Sequence, residues 1–144
     1  MLFTFESIRT TYRKKTEELV GKPFTLKERQ QLDGITSPLF TITEVSLQIY
    51  NLLVVSQEPQ YCRMELRTQG ILIHLGKAAD KYTLPIPFFK MVVYKGKSEE
   101  YSIYKNAYFV KFRADKEKAE IHKFVKKIMD LKSSQNSTFI DDFY

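Results

Sequence analysis

The sequence predicts an α+β protein: a seven-stranded antiparallel β-barrel or half-barrel, capped by a C-terminal amphipathic helix and preceded by one or two N-terminal helices. Three observations lead to this prediction. Seven consecutive short segments after residue 42 have strand-like patterns of apolar residues and are separated by turn residues. The eleven Phe and nine Tyr are concentrated between residues 82 and 112, and aromatic side chains suit a pleated, half-buried surface. A helical period of apolar residues occurs only towards the two ends of the chain.

Residues 1–42 are predicted to form an N-terminal helical extension. Residues 6–20 have the pattern of an amphipathic helix, which a Gly-Lys-Pro sequence ends. Its apolar residues at helical spacing are Phe5, Ile8, Tyr12 and Leu19. Thr25 precedes Glu28 by three residues, which is the spacing of a capping box and predicts a second helix over residues 26–33.

Residues 43–132 are predicted to form the β-barrel and its C-terminal helix. A long first strand is expected from Thr43 to Val55, because apolar and polar residues alternate there. The clearest alternation follows, with Cys62, Met64 and Leu66 on one face of the second strand. The other five strands are predicted over residues 71–75, 82–86, 89–93, 101–103 and 108–112.

The C-terminal helix is predicted to begin after Asp115 and to end near residue 132. Its apolar stripe consists of Ile121, Phe124, Val125, Ile128 and Met129. Residues 133–144 are predicted to be a polar linker and an aromatic, acidic tail. We expect the apolar tail residues to dock in a groove of this molecule or of a second copy: Phe139, Ile140, Phe143 and Tyr144.

Seven antiparallel strands followed by a capping helix resemble the pleckstrin homology (PH) superfold. Residues 65–75, 82–89 and 101–112 look similar to the corresponding segments of small bacterial PH-like proteins. The resemblance implies a binding or scaffold module. PH domains that bind phosphoinositides carry a basic cluster around the first hairpin, whereas residues 54–65 contain one Arg and two Glu here. The resemblance therefore does not extend to an inositol-lipid site.

A second fold also agrees with the order of elements. If Leu2 to Phe5 is a strand, the chain reads strand, two helices, a run of strands and a long helix, which resembles the helix-grip fold of START-like carriers. That fold has six strands after the helix pair, whereas seven are predicted here. The resemblance implies a carrier that encloses an apolar small molecule in a cavity of several hundred Å³.

The net charge of +6 is concentrated in the second half of the chain. Residues 77–132 contain fourteen Lys and Arg against seven Asp and Glu. Such a field attracts nucleic acid, anionic lipid or an acidic protein surface. The alternative is that solvated lysines only keep the protein in solution.

No pattern of residues indicates catalysis, so we expect no enzyme activity, cofactor or metal. His74 and His122 lack the spacing of a metal site, and Cys62 alternates with residues of the predicted core. The N-terminus lacks the pattern of a signal peptide, and no apolar run reaches about 18 residues. We therefore expect a cytoplasmic protein with no integral membrane segment.

Aromatic residues occupy both faces of the later predicted strands, interleaved with basic residues. The candidate interaction surface is Phe88, Lys90, Tyr94, Lys95, Tyr104, Lys105, Phe109, Lys111 and Arg113. The core uses one face of a barrel wall, so the second face is expected to bind a protein partner, a second copy of the chain or single-stranded nucleic acid. The alternative is that the N-terminal helices cover it.

Overall fold

A computed structural model gives the architecture of the 144-residue chain. It describes residues 3–4, 13–53, 60–76, 82–97, 99–114 and 118–143. The strands in these ranges are β1 (Phe3–Thr4), β2 (Phe40–Val45), β3 (Tyr61–Arg67), β4 (Gly70–Gly76), β5 (Tyr82–Pro87), β6 (Met91–Lys95), β7 (Glu100–Lys105) and β8 (Tyr108–Arg113). The helices are α1 (Arg13–Val20), α2 (Leu26–Gln31), α3 (Leu47–Leu53) and α4 (Lys118–Phe143), with a 3-10 turn at Phe88–Lys90. The predicted α+β class is confirmed.

The described strands form one antiparallel sheet in the order β1-β5-β4-β3-β2-β8-β7-β6. Two meanders, β2 to β5 and β6 to β8, are joined by pairing of β2 with β8, where Ile42 lies opposite Phe112. Among the described strands, β1 and β6 are the two ends of the sheet and do not pair with each other, which selects the half-barrel from the two predicted forms. The seven antiparallel strands β2 to β8, followed by a C-terminal helix, are compatible with a PH-like fold. Among the described strands, β6 is an end strand of the sheet.

The hairpin of β3 and β4 follows the predicted alternation. Cys62, Met64 and Leu66 are fully buried on one face of β3, and they lie opposite Leu75, Ile73 and Ile71 of β4. The polar residues between them on β3 are exposed or half-buried. A period of two therefore sets both the strand and the face that it turns to the core.

The predicted first strand, Thr43 to Val55, is wrong from Leu47 to Leu53, and residues 54–55 lie outside the described residues. The strand begins earlier, at Phe40, and the chain then forms α3, in which the backbone N–H of Tyr50 donates to the carbonyl of Ser46 at 2.8 Å. Ile49 is fully buried, whereas Leu47 is 70% exposed, so the two do not share a core face as a strand requires. Short apolar runs fit either period, and packing decides between them.

Local hydrogen bonds set the end of α1 and the start of α2. Helix α1 ends before Gly21, whose φ of +84° permits its N–H to donate to the carbonyl of Glu17 at 2.8 Å. The capping box of α2 is confirmed: Glu28 N–H donates to the Thr25 hydroxyl at 3.2 Å, and Thr25 N–H donates to the Glu28 carboxylate at 3.0 Å. Helix α1 packs against β4 and β5. The start predicted for this helix, from residue 6, lies outside the described residues.

The core lies between the inner face of the sheet and α4. The helix buries Ile121, Phe124, Val125 and Ile128 as predicted, whereas Met129 is partly exposed. On the sheet side, Phe112 stacks on Phe40 with ring centroids 5.4 Å apart.

The backbone of α4 remains helical beyond residue 132, through most of the segment predicted to be a linker and tail. The side chains of the predicted docking tail (Phe139, Ile140, Phe143 and Tyr144) lie outside the described residues, and so does the contact predicted for them.

Candidate functional site

One face of the second meander carries a row of aromatic side chains turned away from the core. Val92 of β6 lies opposite Tyr104 of β7, which lies opposite Phe109 of β8. Tyr94, two residues after Val92, is on the same face of β6. We call these four residues the aromatic face. The inward positions between them, such as Ile103 and Val110, belong to the core.

The rings of the aromatic face contact one another across the strands. Tyr104 stacks on Phe109, with centroids 5.1 Å apart and planes 25° apart. The ring of Tyr94 meets Tyr104 edge to face at 5.3 Å. Such contacts fix the ring orientations and contribute about 0.5–1.5 kcal/mol per pair. Tyr94 remains 57% exposed and Val92 47% exposed, whereas Tyr104 and Phe109 are half-buried, so the β6 end of the row is the most accessible part.

A surface groove of about 620 Å³ runs along this face. Its lining residues are Lys90, Val92, Tyr94, Tyr104 and Asn106. Asn106 has a φ of +53° in the turn between β7 and β8, a conformation that Asn adopts more easily than most residues. The groove therefore combines an apolar floor with an amide and an ammonium group at its rim.

Basic side chains border the aromatic face. Lys90 and Arg113 are exposed, and Lys111 is half-buried. Lys111 forms an ion pair with Glu44 at 3.2 Å, and this hydrogen bond and charge raise the pKa of its ammonium group. The Lys90 ammonium lies 5.6 Å from the centroid of the Phe89 ring. Basic groups thus lie at both ends of the row, with Lys90 next to β6 and with Lys111 and Arg113 on β8.

Phe88 is not part of this surface, and its predicted exposure is wrong. It is fully buried, while its neighbour Phe89 is 72% exposed. The cause is the 3-10 turn at Phe88–Lys90, which interrupts the period of two between β5 and β6. The N–H of Phe88 donates to the carbonyl of Gln69 at 3.0 Å and holds the turn against the β3–β4 connection.

Lys105 is also absent from the surface, since it is only 5% exposed. It follows Tyr104 on β7, and adjacent residues of a strand point to opposite faces. Its Nζ donates to the carbonyl of Pro85 at 3.0 Å, and burial lowers the pKa of the ammonium group. Lys95 is also on the other face of the sheet, because it follows Tyr94 on β6 and lines a groove beside α4, so its predicted place on this surface is wrong. The structure therefore places the remaining six predicted residues on or beside the aromatic face.

The first meander differs, because its outer face is covered. Leu72 is on the face of β4 opposite the core residues Ile71 and Ile73, yet it is only 1% exposed. Helix α1 packs on β4 and β5 and buries Val20 close to Gly70. A cover of N-terminal helices is the predicted alternative to an exposed face. On β4 and β5, the described part of α1 provides such a cover.

A second groove, of about 340 Å³, separates β6 from α4. Its lining residues are Val93, Lys95, Tyr101, His122, Val125, Lys126 and Met129. The Tyr101 hydroxyl and His122 Nδ1 form a hydrogen bond of 2.7 Å, and burial raises the pKa of the tyrosine. Sequence reasoning missed this groove, because it placed Met129 in the apolar stripe of the C-terminal helix and did not show how far that helix covers the sheet. The exposed part of Met129 shows that α4 does not cover the edge of the sheet completely.

Groups that could perform chemistry are separated in the described part of the chain. No group of three or more His, Cys, Asp and Glu among those residues could hold a metal ion. Cys62 is buried as predicted, and burial raises the pKa of its thiol. His74 Nδ1 forms a hydrogen bond of 2.9 Å with the Thr83 hydroxyl. A buried thiol with a raised pKa is a poor nucleophile.

None of the helices in the described ranges is long and apolar enough to cross a membrane. No protein-family model matches the chain, and no curated protein sequence matches it.

Proposed function

We propose that this protein is a non-enzymatic, PH-like binding module that engages a protein partner through the aromatic face. The observation that carries the proposal is the row formed by Tyr94, Tyr104 and Phe109, in which ring contacts join the half-buried Tyr104 and Phe109 to the exposed Tyr94. Aromatic side chains dominate the binding energy of protein interfaces, since they bury a large area with little loss of conformational freedom. The PH-like assignment is supported by the two meanders, their joining by β2 and β8, and the helix that follows.

The ring geometry favours a protein over single-stranded nucleic acid. A stacked base needs an open ring face, and the contact between Tyr104 and Phe109 already occupies one face of each ring. In addition, the charge of Lys111 is partly compensated by Glu44. Apolar and aromatic side chains of a partner can instead pack on the ring edges and on Val92, with the lysines at the polar rim.

The other proposed ligands have less support among the described residues. The two grooves are open to solvent and bordered by lysines, whereas a helix-grip carrier needs an enclosed apolar cavity. Residues 54–59, which belong to the segment compared with the lipid-binding hairpin of PH domains, lie outside the described residues.

Site-specific photocrosslinking in the native cells tests the proposal. A photoreactive phenylalanine analogue replaces Tyr94 in one variant and Leu26 in the control, because Leu26 is also highly exposed but belongs to α2. We expect a crosslinked protein with position 94 that is absent with position 26. Equal crosslinking at the two positions, or none at position 94, would contradict the proposal.

The crosslinked protein, once identified and purified, permits a quantitative measurement. Tyr104→Ser should weaken the binding of this partner about tenfold to thirtyfold. That loss equals about 1.4–2 kcal/mol of binding free energy, which is typical of an interface residue that contributes strongly. Leu26→Ser should leave the affinity unchanged. The binding of a single-stranded oligonucleotide is measured in parallel. If the oligonucleotide binds and the protein partner does not, and if the affinity falls steeply as the salt concentration rises, the ligand is nucleic acid.

A further inference from the structure

Strand β6 has one side without a strand partner among the described residues, and its backbone is oriented for pairing. The N–H of Gly96 donates to the carbonyl of Glu100 at 2.8 Å in the hairpin between β6 and β7. In an antiparallel ladder, every second residue of a strand directs its N–H and carbonyl groups to the neighbouring strand. Counting back from Gly96, Tyr94 and Val92 direct these groups to Ser102 and Tyr104 of β7. The N–H and carbonyl groups of Val93 and Lys95 therefore point to the outer side of the sheet.

The two grooves flank this strand on its opposite faces. Val92 and Tyr94 line the groove on the aromatic face, whereas Val93 and Lys95 line the groove beside α4. Side chains of a strand added to β6 would alternate in the same way. Successive residues of one extended segment would therefore enter the two grooves in turn.

The charges along β6 indicate which segment fits. Lys90, Lys95 and Lys97 are exposed, and no acidic side chain in the described ranges forms an ion pair with them. Pairing of β6 with the β6 of a second copy would bring these lysines together, and lysines on an edge strand oppose such self-association. An acidic segment would meet them with favourable charge instead.

We propose that β6 accepts an extended segment of another protein, rich in alternating acidic and apolar residues, as an added strand. This inference rests on the proposed function and specifies how the partner binds. Backbone hydrogen bonds to Val93 and Lys95 supply affinity in a way that does not depend on sequence. An acidic side chain of the segment meets Lys95 beside α4, and its apolar neighbours in the segment pack on Val92 and Tyr94 of the aromatic face.

Selection of random peptides displayed on phage against the purified full-length protein provides the probe. Selected peptides should alternate apolar residues with Asp or Glu over about five or six positions, the length of a typical strand. Hydrogen exchange then locates the bound synthetic peptide. We expect slower exchange at the amides of Val93 and Lys95, with little change at Tyr94, whose amide already bonds to β7.

A matched pair of variants separates backbone pairing from binding to the face. Lys95→Pro removes an outward N–H without removing a ladder hydrogen bond, and Lys95→Ala removes the same charge but keeps the N–H. The proline variant should bind the selected peptide about fivefold to tenfold more weakly than the alanine variant. Circular dichroism spectra and melting temperatures of both variants establish that the sheet is intact.

The outcomes distinguish this inference from the proposed function. If Tyr104→Ser abolishes binding while the proline and alanine variants bind equally and the Val93 and Lys95 amides do not change, the aromatic face binds without an added strand. If selection yields basic peptides or no peptides, the acidic segment is wrong. Dimerisation in light scattering that Lys95→Pro prevents would make a second copy the occupant and would also overturn the inference.

Discussion

The two meanders of the sheet share one core but differ on their outer faces. In the first, β2 to β5, the outer side chain of Leu72 on β4 is buried, and α1 packs on β4 and β5. In the second, β6 to β8, the corresponding face carries Val92 and Tyr94, which remain about half exposed. Each outer face carries apolar side chains, so their presence alone does not distinguish the two meanders. The difference is whether another described element packs against these side chains, and it leaves Val92 and Tyr94 of the second meander accessible to solvent.

This difference also separates stability from binding. Substitution of a covered side chain leaves a cavity in the folded protein, whereas substitution of an exposed one changes little. We therefore expect the outer face of the first meander to be sensitive to mutation in unfolding experiments. The aromatic face should be sensitive mainly in binding experiments.

The largest effect is expected where the two meanders share their core. Phe124 of α4 is buried against the sheet, so Phe124→Ala removes a large apolar side chain and should lower the free energy of unfolding by about 3–5 kcal/mol. Denaturant titration measures this change. A loss below about 1 kcal/mol would show that α4 does not pack on the sheet as described.

The comparison itself is tested by one substitution in each meander. Leu72→Ala should cost about 2–5 kcal/mol because Leu72 is fully packed, and Val92→Ala should cost less than about 1 kcal/mol because Val92 is 47% exposed. Both values come from the same denaturant titration. Equal costs would mean that the two outer faces are not different in the way that the structure describes.

Features set by local pattern were predictable from the sequence. The alternation of Cys62, Met64 and Leu66 gives a strand with one buried face, and the spacing of Thr25 and Glu28 gives a helix start. In each case a few neighbouring residues contain the whole physical cause, since side-chain direction and capping depend on positions two to four apart. The segment at Leu47 shows the limit, because its short apolar run fits a helix as well as a strand.

Features set by pairing between distant segments were not predictable. The aromatic residues Tyr94, Tyr104 and Phe109 were identified, but Phe88 was assigned to the wrong face because no pattern marks the 3-10 turn. The position of β6 at the end of the sheet follows from pairing of β2 with β8, residues that are about 70 apart in sequence. Such pairing depends on the packing of the whole sheet.

A smaller effect is expected from His74, which lies on the covered meander. Burial lowers the pKa of its imidazole below the usual 6.5, so the unfolded chain binds a proton more readily than the folded protein. The contribution of neutral His74 to the free energy of unfolding is complete above pH 6.5 and is lost as the pH falls below that value. We expect the free energy of unfolding to decrease on acidification through this range, and less so in His74→Gln.

Urea titrations at a series of pH values measure that dependence. The difference between the two slopes is the informative quantity, because the substitution also changes the level of stability by removing the hydrogen bond to Thr83. Parallel curves for the two proteins would contradict the assignment of His74 as a buried, neutral side chain.

The smallest expected effect is the slow modification of Cys62 by a thiol reagent under native conditions. Cys62 is fully buried on β3, and its raised thiol pKa leaves little of the reactive thiolate, so a thiol reagent should modify it only as fast as the protein unfolds. The matched variant carries Val92→Cys together with Cys62→Ala, which places the thiol on the exposed meander. We expect rapid labelling of that variant by mass spectrometry and slow labelling of the natural chain. Rapid native labelling of Cys62 would reverse the face assigned to β3, and slow labelling at position 92 would show that the aromatic face is covered.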